Sequence, residues 1–223
     1  MALNWEDGKK QLYRGLLSTY YKAIDPEMAG ICMDAEEAVE HGDDEDLTFF
    51  RLLYEMDENT ENFMWKGEIF ESLDELGKML LNSLWNNKKN LDPFIGGILG
   101  HKLLSEYCYA MSVDDEDIMN TVKGIEQSYD SLKSKDDNRV RVYYLMAYTL
   151  SGERVYNYKG EKFYSLNDIT LYMRALLDNS YEEFRSFCGE LMSGDGSLDA
   201  QFESWLISLG KQSEISSWRK SLL

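Results

Sequence analysis

The chain has 223 residues, and 23 Lys and Arg against 41 Asp and Glu leave a formal net charge of −18. Apolar residues make up 43% and aromatics 13%, too much burial material for a disordered acidic tail, and only 2 Pro and 16 Gly favour helices over a loop-rich β-sandwich. The charge also argues against direct phosphate binding, because nucleic-acid affinity rests on Lys and Arg neutralising phosphates.

Met1 to Asp7 is polar and acidic and leads into no apolar run, so it does not read as a secretory signal. No stretch approaches the roughly 18 consecutive apolar residues of a membrane helix. Gly15-Leu-Leu-Ser-Thr-Tyr-Tyr-Lys-Ala23 is the first of two blocks that recur further along. Asp25-Pro26 then reads as a helix start: Asp accepts a bond from an orphan backbone N–H, and Pro at the first helical position loses nothing by lacking one.

From Ile24 to Asn62 the chain carries fourteen acids and one base, Arg51. The acids are densest at Glu36, Glu37, Glu40, Asp43, Asp44, Glu45 and Asp46, and these are expected to dock a partner protein with a basic surface, where complementary charge speeds association and excludes wrong partners. A solvated, solubilising face is the ordinary alternative, and mimicry of nucleic acid is a special case. A calcium loop starting at Asp44 fails because Phe49 stands where that loop requires Gly.

Leu47 to Met56 has helical periodicity. In Asn62–Glu71 the pattern breaks, and Lys-Gly-Glu between alternating aromatic flanks suggests a short β-hairpin. Ser72-x-x-Glu75 resembles a capping box and opens a helix whose buried stripe is Leu73, Leu76, Met79, Leu80 and Leu84. Asp92-Pro93 reads as another helix start. Phe94-Ile-Gly-Gly-Ile-Leu-Gly100 lacks the Lys-Ser/Thr of a phosphate-binding loop, so its glycines suggest a close helix approach or a bend.

Lys102-Leu-Leu-Ser-Glu-Tyr-Cys-Tyr-Ala110 repeats the first block. His101 and Cys108, read as lying on one helix face, stand about 10.5 Å apart along its axis, too far for the hydrogen bond that activates a thiol. With His41 the only other histidine, general-base chemistry has little to draw on. Cys32, Cys108 and Cys188 form no CxxC pair, which indicates neither a disulfide framework nor a zinc site and points to a reduced cytoplasm. The stretch matching the acidic segment carries Lys123, Lys133, Lys135, Arg139 and Arg141, so such acidity is not required by the pattern.

Val140 to Leu150 reads as helix, with strand as the alternative given its β-branched and aromatic content. Tyr156-Asn-Tyr-Lys-Gly-Glu-Lys-Phe then repeats Phe63-Met-Trp-Lys-Gly-Glu-Ile-Phe 93 residues on, predicting a second hairpin within Val155–Tyr164. Trp65 and Tyr158 hold matching places and are expected to plug each hairpin onto its unit. Ser165-x-x-Asp168 and Ser180-x-x-Glu183 open further helices, the first with the stripe Leu166, Ile169, Met173, Leu176 and Leu177. Gln201 to Leu206 is a weaker third echo, and Trp205 and Trp218 near this end are expected to offer apolar surface to a partner.

These signals predict a mainly α, repeat-like array: a first unit over 1–96 with a hairpin near 62–71, a second over 97–194 with a hairpin near 155–164, and a partial third unit or helical cap over 195–223. The expected function is a non-catalytic, acidic, cytoplasmic protein–protein interaction module without cofactor, metal site or catalytic residue. An acidic inhibitor that blocks the channel of a nucleic-acid-binding protein is the alternative, and an enzyme using carboxylates is a third class.

Overall fold

The computed structural model describes residues 2–57, 59–86, 91–132, 136–193 and 196–221. It is mainly α, 71% helical, with 13 α-helices and two small antiparallel hairpins among the described residues. After a 3-10 turn at Ala2–Asn4 come α1 (Trp5–Tyr13), α2 (Leu17–Tyr21), α3 (Pro26–Glu40), α4 (Glu45–Met56), β1 (Phe63–Trp65), β2 (Glu68–Phe70), α5 (Leu73–Trp85), α6 (Leu91–Gly100), α7 (Leu103–Ala110) and α8 (Glu116–Leu132). The chain continues through α9 (Asp136–Ser151), β3 (Tyr156–Tyr158), β4 (Glu161–Phe163), α10 (Leu166–Asn179), α11 (Tyr181–Glu190), α12 (Ala200–Ser208) and α13 (Gln212–Ser221). No described helix is long and apolar enough to cross a membrane.

Local chemistry accounts for the element boundaries. Asp25 caps α3 by accepting from the Glu27 and Met28 amides, with Pro26 at the first helical position. Ser165 and Asp168 form a reciprocal capping box at α10, and Ser180 accepts from the Glu183 amide at α11. Asp92-Pro93 differs from the expectation, since α6 already begins at Leu91 and Asp92 lies in its first turn. The Val140–Leu150 stretch is helical throughout, with Tyr143 and Tyr148 buried and Tyr144 half-buried. Each hairpin turns on Lys-Gly with both residues at positive φ, 48° and 86° in the first and 51° and 95° in the second. That is the primed two-residue turn whose twist suits antiparallel strands. Registers agree as well, with Phe63 opposite Phe70 and Tyr156 opposite Phe163.

Two compact bodies result. One comprises Met1–Leu73 and Asn90–Asp130, the other Asp74–Lys89 and Ser131–Leu223. They cut the chain differently from the units read at 1–96 and 97–194: α5 belongs to the second body, whereas α6, α7 and α8 belong to the first.

The first body is centred on aromatic side chains. Trp5 meets the rings of Phe49 and Trp65 edge-on, each at 5.0 Å. The Trp65 indole donates to the Phe94 carbonyl at 3.1 Å, and a Cβ at Gly97 would stand 2.5 Å from its ring, so that glycine serves a close approach of α6. Tyr54 Oη donates to the Asn62 carbonyl at 2.8 Å and accepts from the Met64 amide, fastening α4 to β1. In the second body Tyr148 does the same for α9 and β3, donating to the Val155 carbonyl at 2.8 Å.

The stripe on α5 is buried as expected at Leu76 and Leu80. That on α10 is not: Ile169 is buried, but Leu166 is 38% and Leu177 50% exposed, and Met173 is half-buried. The physical reason is what each helix meets. Gly77 lets α5 come so close to the end of α9 that a Cβ would stand 2.3 Å from the Ser151 amide nitrogen, whereas α10 has Thr170 at the matching place, itself exposed.

Candidate functional site

The acidic segment folds as α3, a turn at Gly42 with φ 99°, and the start of α4. Its seven densest acids separate into two sets once their partners are known. Glu36 is a clamp: Oε1 accepts from the Leu17 and Ser18 amides at 2.8 and 3.0 Å, and Oε2 from Ser18 Oγ at 2.5 Å. These are orphan donors at the start of α2, so the carboxylate caps a helix from 18 residues away. Asp44 caps α4 through the Leu47 amide at 2.9 Å and lies 3.1 Å from His101 Nδ1. Asp46, with its side chain only 18% exposed, accepts from Lys9 Nζ and from the Trp5 indole, both at 2.7 Å. Burial alone would push its carboxyl up, but those two hydrogen bonds together with the Lys9 and Lys66 charges outweigh it and hold the group below its ordinary value.

Glu37, Glu40, Asp43 and Glu45 form the other set. All four are exposed, and their carboxylates make no hydrogen bond or ion pair with a described residue. Beside them lies a cleft of about 660 Å³, lined by Glu36, Glu37, Glu40, Met33 and Val39 of α3 and by Leu12 to Gly15 at the end of α1. Tyr13 and Met33 are exposed there, so an apolar rim adjoins the carboxylates.

The two tryptophans fall elsewhere. Trp205 is fully buried in the second body, its indole donating to the Arg154 carbonyl at 3.0 Å and its ring packed on Tyr156 and Phe202. It is a core residue that offers no surface, because α12 lays its apolar side against α9. The Trp218 side chain lies outside the described residues, as do Glu58, Lys133 and Lys135. Trp65 is a buried plug as expected, whereas Tyr158 is half-buried.

His101 and Cys108 do not share a helix: His101 precedes Lys102, whose φ of 57° breaks the chain before α7 begins. Burial, then the nearby Glu36 charge, pushes the Cys32 thiol up to about 11, and burial followed by Glu126 raises Cys108. Both therefore stay protonated at neutral pH, unsuited to nucleophilic attack. No group of three or more His, Cys, Asp or Glu side chains among the described residues is arranged to hold a metal ion.

Sequence reasoning missed both clamps: it read Glu36 as a docking residue and did not single out Glu126. Glu126, buried on α8, accepts from the Ser105 amide at 3.0 Å and from the Ser105 hydroxyl, capping α7 as Glu36 caps α2. The signal was present in the shared Leu-Leu-Ser, whose serine each clamp grips, but nothing near it names the distant glutamate. The chain matches no protein-family model, no curated protein and no solved structure.

Proposed function

We propose that the protein is a non-catalytic interaction module of the cytoplasm that docks a basic partner protein on the acidic face of α3 and the α3–α4 turn. The observation that carries this reading is the set Glu37, Glu40, Asp43 and Glu45: four exposed carboxylates on one short segment that make no hydrogen bond or ion pair with a described residue, Asp43 and Glu45 lying only in the fields of Arg51 and Lys9. Glu36, Asp44 and Asp46 are occupied in holding the fold and contribute field but not free contacts. At physiological salt the screening length is about 8 Å, so clustered charges act together on a nearby basic patch while distant ones contribute little. The three free cysteines suit a reducing compartment.

The same proposal reads the chain as two copies of one helical unit followed by part of a third. Support comes from paired local geometry: the two clamped serines, the two Tyr-to-strand bonds of α4 and α9, the two Lys-Gly turns and the positive φ at Gly15 and Lys102 before α2 and α7. Such pairing explains why the acids belong to function, since the second copy keeps the blocks without their density.

Affinity capture from lysate tests the docking face. The chain and its Glu37→Gln/Glu40→Gln/Asp43→Asn/Glu45→Gln variant, matched by circular dichroism, are compared at about 0.05 and 0.5 M salt. A basic protein should be retained by the parent chain at low salt, released at high salt and lost in the variant. Equal capture by both would return this segment to a solvated face. Release of the captured protein by duplex DNA would narrow the reading to blockade of a nucleic-acid channel.

A further inference from the structure

We propose that a cleft in the second body, walled by α9, the β3–β4 hairpin and the start of α12, binds a neutral saccharide. The cleft holds about 550 Å³, and its lining includes Trp85, Tyr144, Tyr156, Asn157, Tyr158 and Asp199. That volume lies within the range of small-molecule sites.

Comparison within the chain shows that these polar groups are not needed for packing. Tyr156, Asn157 and Tyr158 occupy the strand positions held by Phe63, Met64 and Trp65 in the first hairpin. Tyr144 sits four residues before the strand-fastening Tyr148, as Phe50 does before Tyr54. In the first body Phe50, Phe63 and Trp65 are fully buried and Met64 nearly so, giving a closed apolar core. In the second the same four places carry three hydroxyls and an amide, and they open onto a cleft.

Several of these groups have spare hydrogen-bonding capacity. The Tyr144 and Tyr156 hydroxyls make no hydrogen bond to a described residue. Burial, reinforced by the Asp199 charge, pushes Tyr144 up to about 12 and raises Tyr156 further, so both are neutral donors at physiological pH. Asp199 uses Oδ1 to cap α12 through the Gln201 and Phe202 amides, which leaves Oδ2 as an acceptor. Asn157 Oδ1 accepts from the Gly160 amide, leaving its NH₂ group to donate. The buried Trp85 indole N–H lies near the Tyr148 hydroxyl but meets no acceptor among the described residues in good hydrogen-bond geometry.

Charge and polarity choose among ligand classes. Lys159 is matched by Glu190 at 2.7 Å, so no cation among the described lining residues is spare for a phosphate or carboxylate. Its polar lining is unsuited to a lipid. A sugar fits: vicinal hydroxyls donate to the Asp199 carboxylate while accepting from phenols and an amide, and C–H faces pack on aromatic rings. The proposal is independent of the acidic docking face, which lies in the first body.

A ¹⁵N NMR titration of the full chain tests it, with glucose, galactose, N-acetylglucosamine, cellobiose, lactose and chitobiose each taken to high millimolar concentration. The expected result is saturable shifts for at least one sugar at the Trp85 indole and the amides of 156–160 and 199–201. The Tyr144→Phe/Tyr156→Phe variant, which removes only the two hydroxyls, should bind at least tenfold more weakly with an unchanged Tm. Absence of saturable shifts with all six sugars would overturn the proposal, as would equal binding by the variant. Saturable shifts with choline or adenosine monophosphate but with no sugar would also overturn it, by assigning the cleft to another class.

Discussion

Leu76 and Leu80 are fully buried on α5, while Leu166 and Leu177 on α10 are 38% and 50% exposed. Their sequence signals are alike, so the difference lies in what packs over them. Leu76→Ala should therefore cost about 2–5 kcal/mol, transfer and cavity terms together, and Leu166→Ala less than about 1 kcal/mol. Urea denaturation of both variants checks this; equal midpoints would mean the two faces are covered alike. Glu126 makes a second prediction at this scale. Burial raises its carboxyl above the ordinary value of 4.5, outweighing the hydrogen bonds from Ser105 that pull it down. The folded state thus keeps this proton to higher pH than the unfolded chain does. Its contribution to stability is complete below the unfolded value and is lost as pH rises through the folded one. Glu126→Gln keeps the shape and removes the titration, so the Tm difference between variant and parent should shift in the variant's favour from about pH 4 to about pH 7. A difference that stays constant over that range would show that Glu126 titrates like an exposed carboxylate.

At the scale of elements, helix α3 shows how much a few residues specify: its Asp25-Pro26 start was legible because a cap acts within a turn of itself. Hairpins were legible for the same reason, since Lys-Gly with alternating flanks is enough to turn the chain. Glycines inside helices were not, because their meaning depends on what approaches them. Gly77 lies against the backbone of Ser151, whereas Gly30 in α3 has nothing within 4 Å of a built Cβ. Gly77→Ala should destabilise by about 1–3 kcal/mol through overpacking against backbone that cannot yield. Gly30→Ala should stabilise by about 0.4–1 kcal/mol by lowering the entropy of the unfolded chain. Thermal melts distinguish the two, and a destabilising Gly30→Ala would mean that this face of α3 is covered.

At the scale of the whole molecule, the two compact bodies run across the boundaries suggested by internal similarity, with α5 built into the second body and α6 to α8 into the first. A fragment ending at residue 96 would carry the Leu76 and Leu80 stripe without α9 to bury it, and would lack α7, whose Tyr107 packs on Tyr54 and Phe63. It should fail to give a cooperative melt or dispersed NMR signals, and a well-folded fragment would show that the sequence-defined unit is autonomous after all. The amino-acid sequence by itself determined the helical class, both hairpins, the caps at Asp25, Ser165 and Ser180 and the location of the acidic segment, because propensity, periodicity and capping act over a few residues and charge is simply counted. Only the tertiary structure decided which acids are free. Asp46 is held by Trp5 and Lys9 from the far end of the first body's sequence, and Glu36 by Ser18, pairings that no local pattern encodes. Likewise Trp205 is an aromatic residue like any other until α12 meets α9, and burial, being a property of neighbours distant in the chain, makes it core.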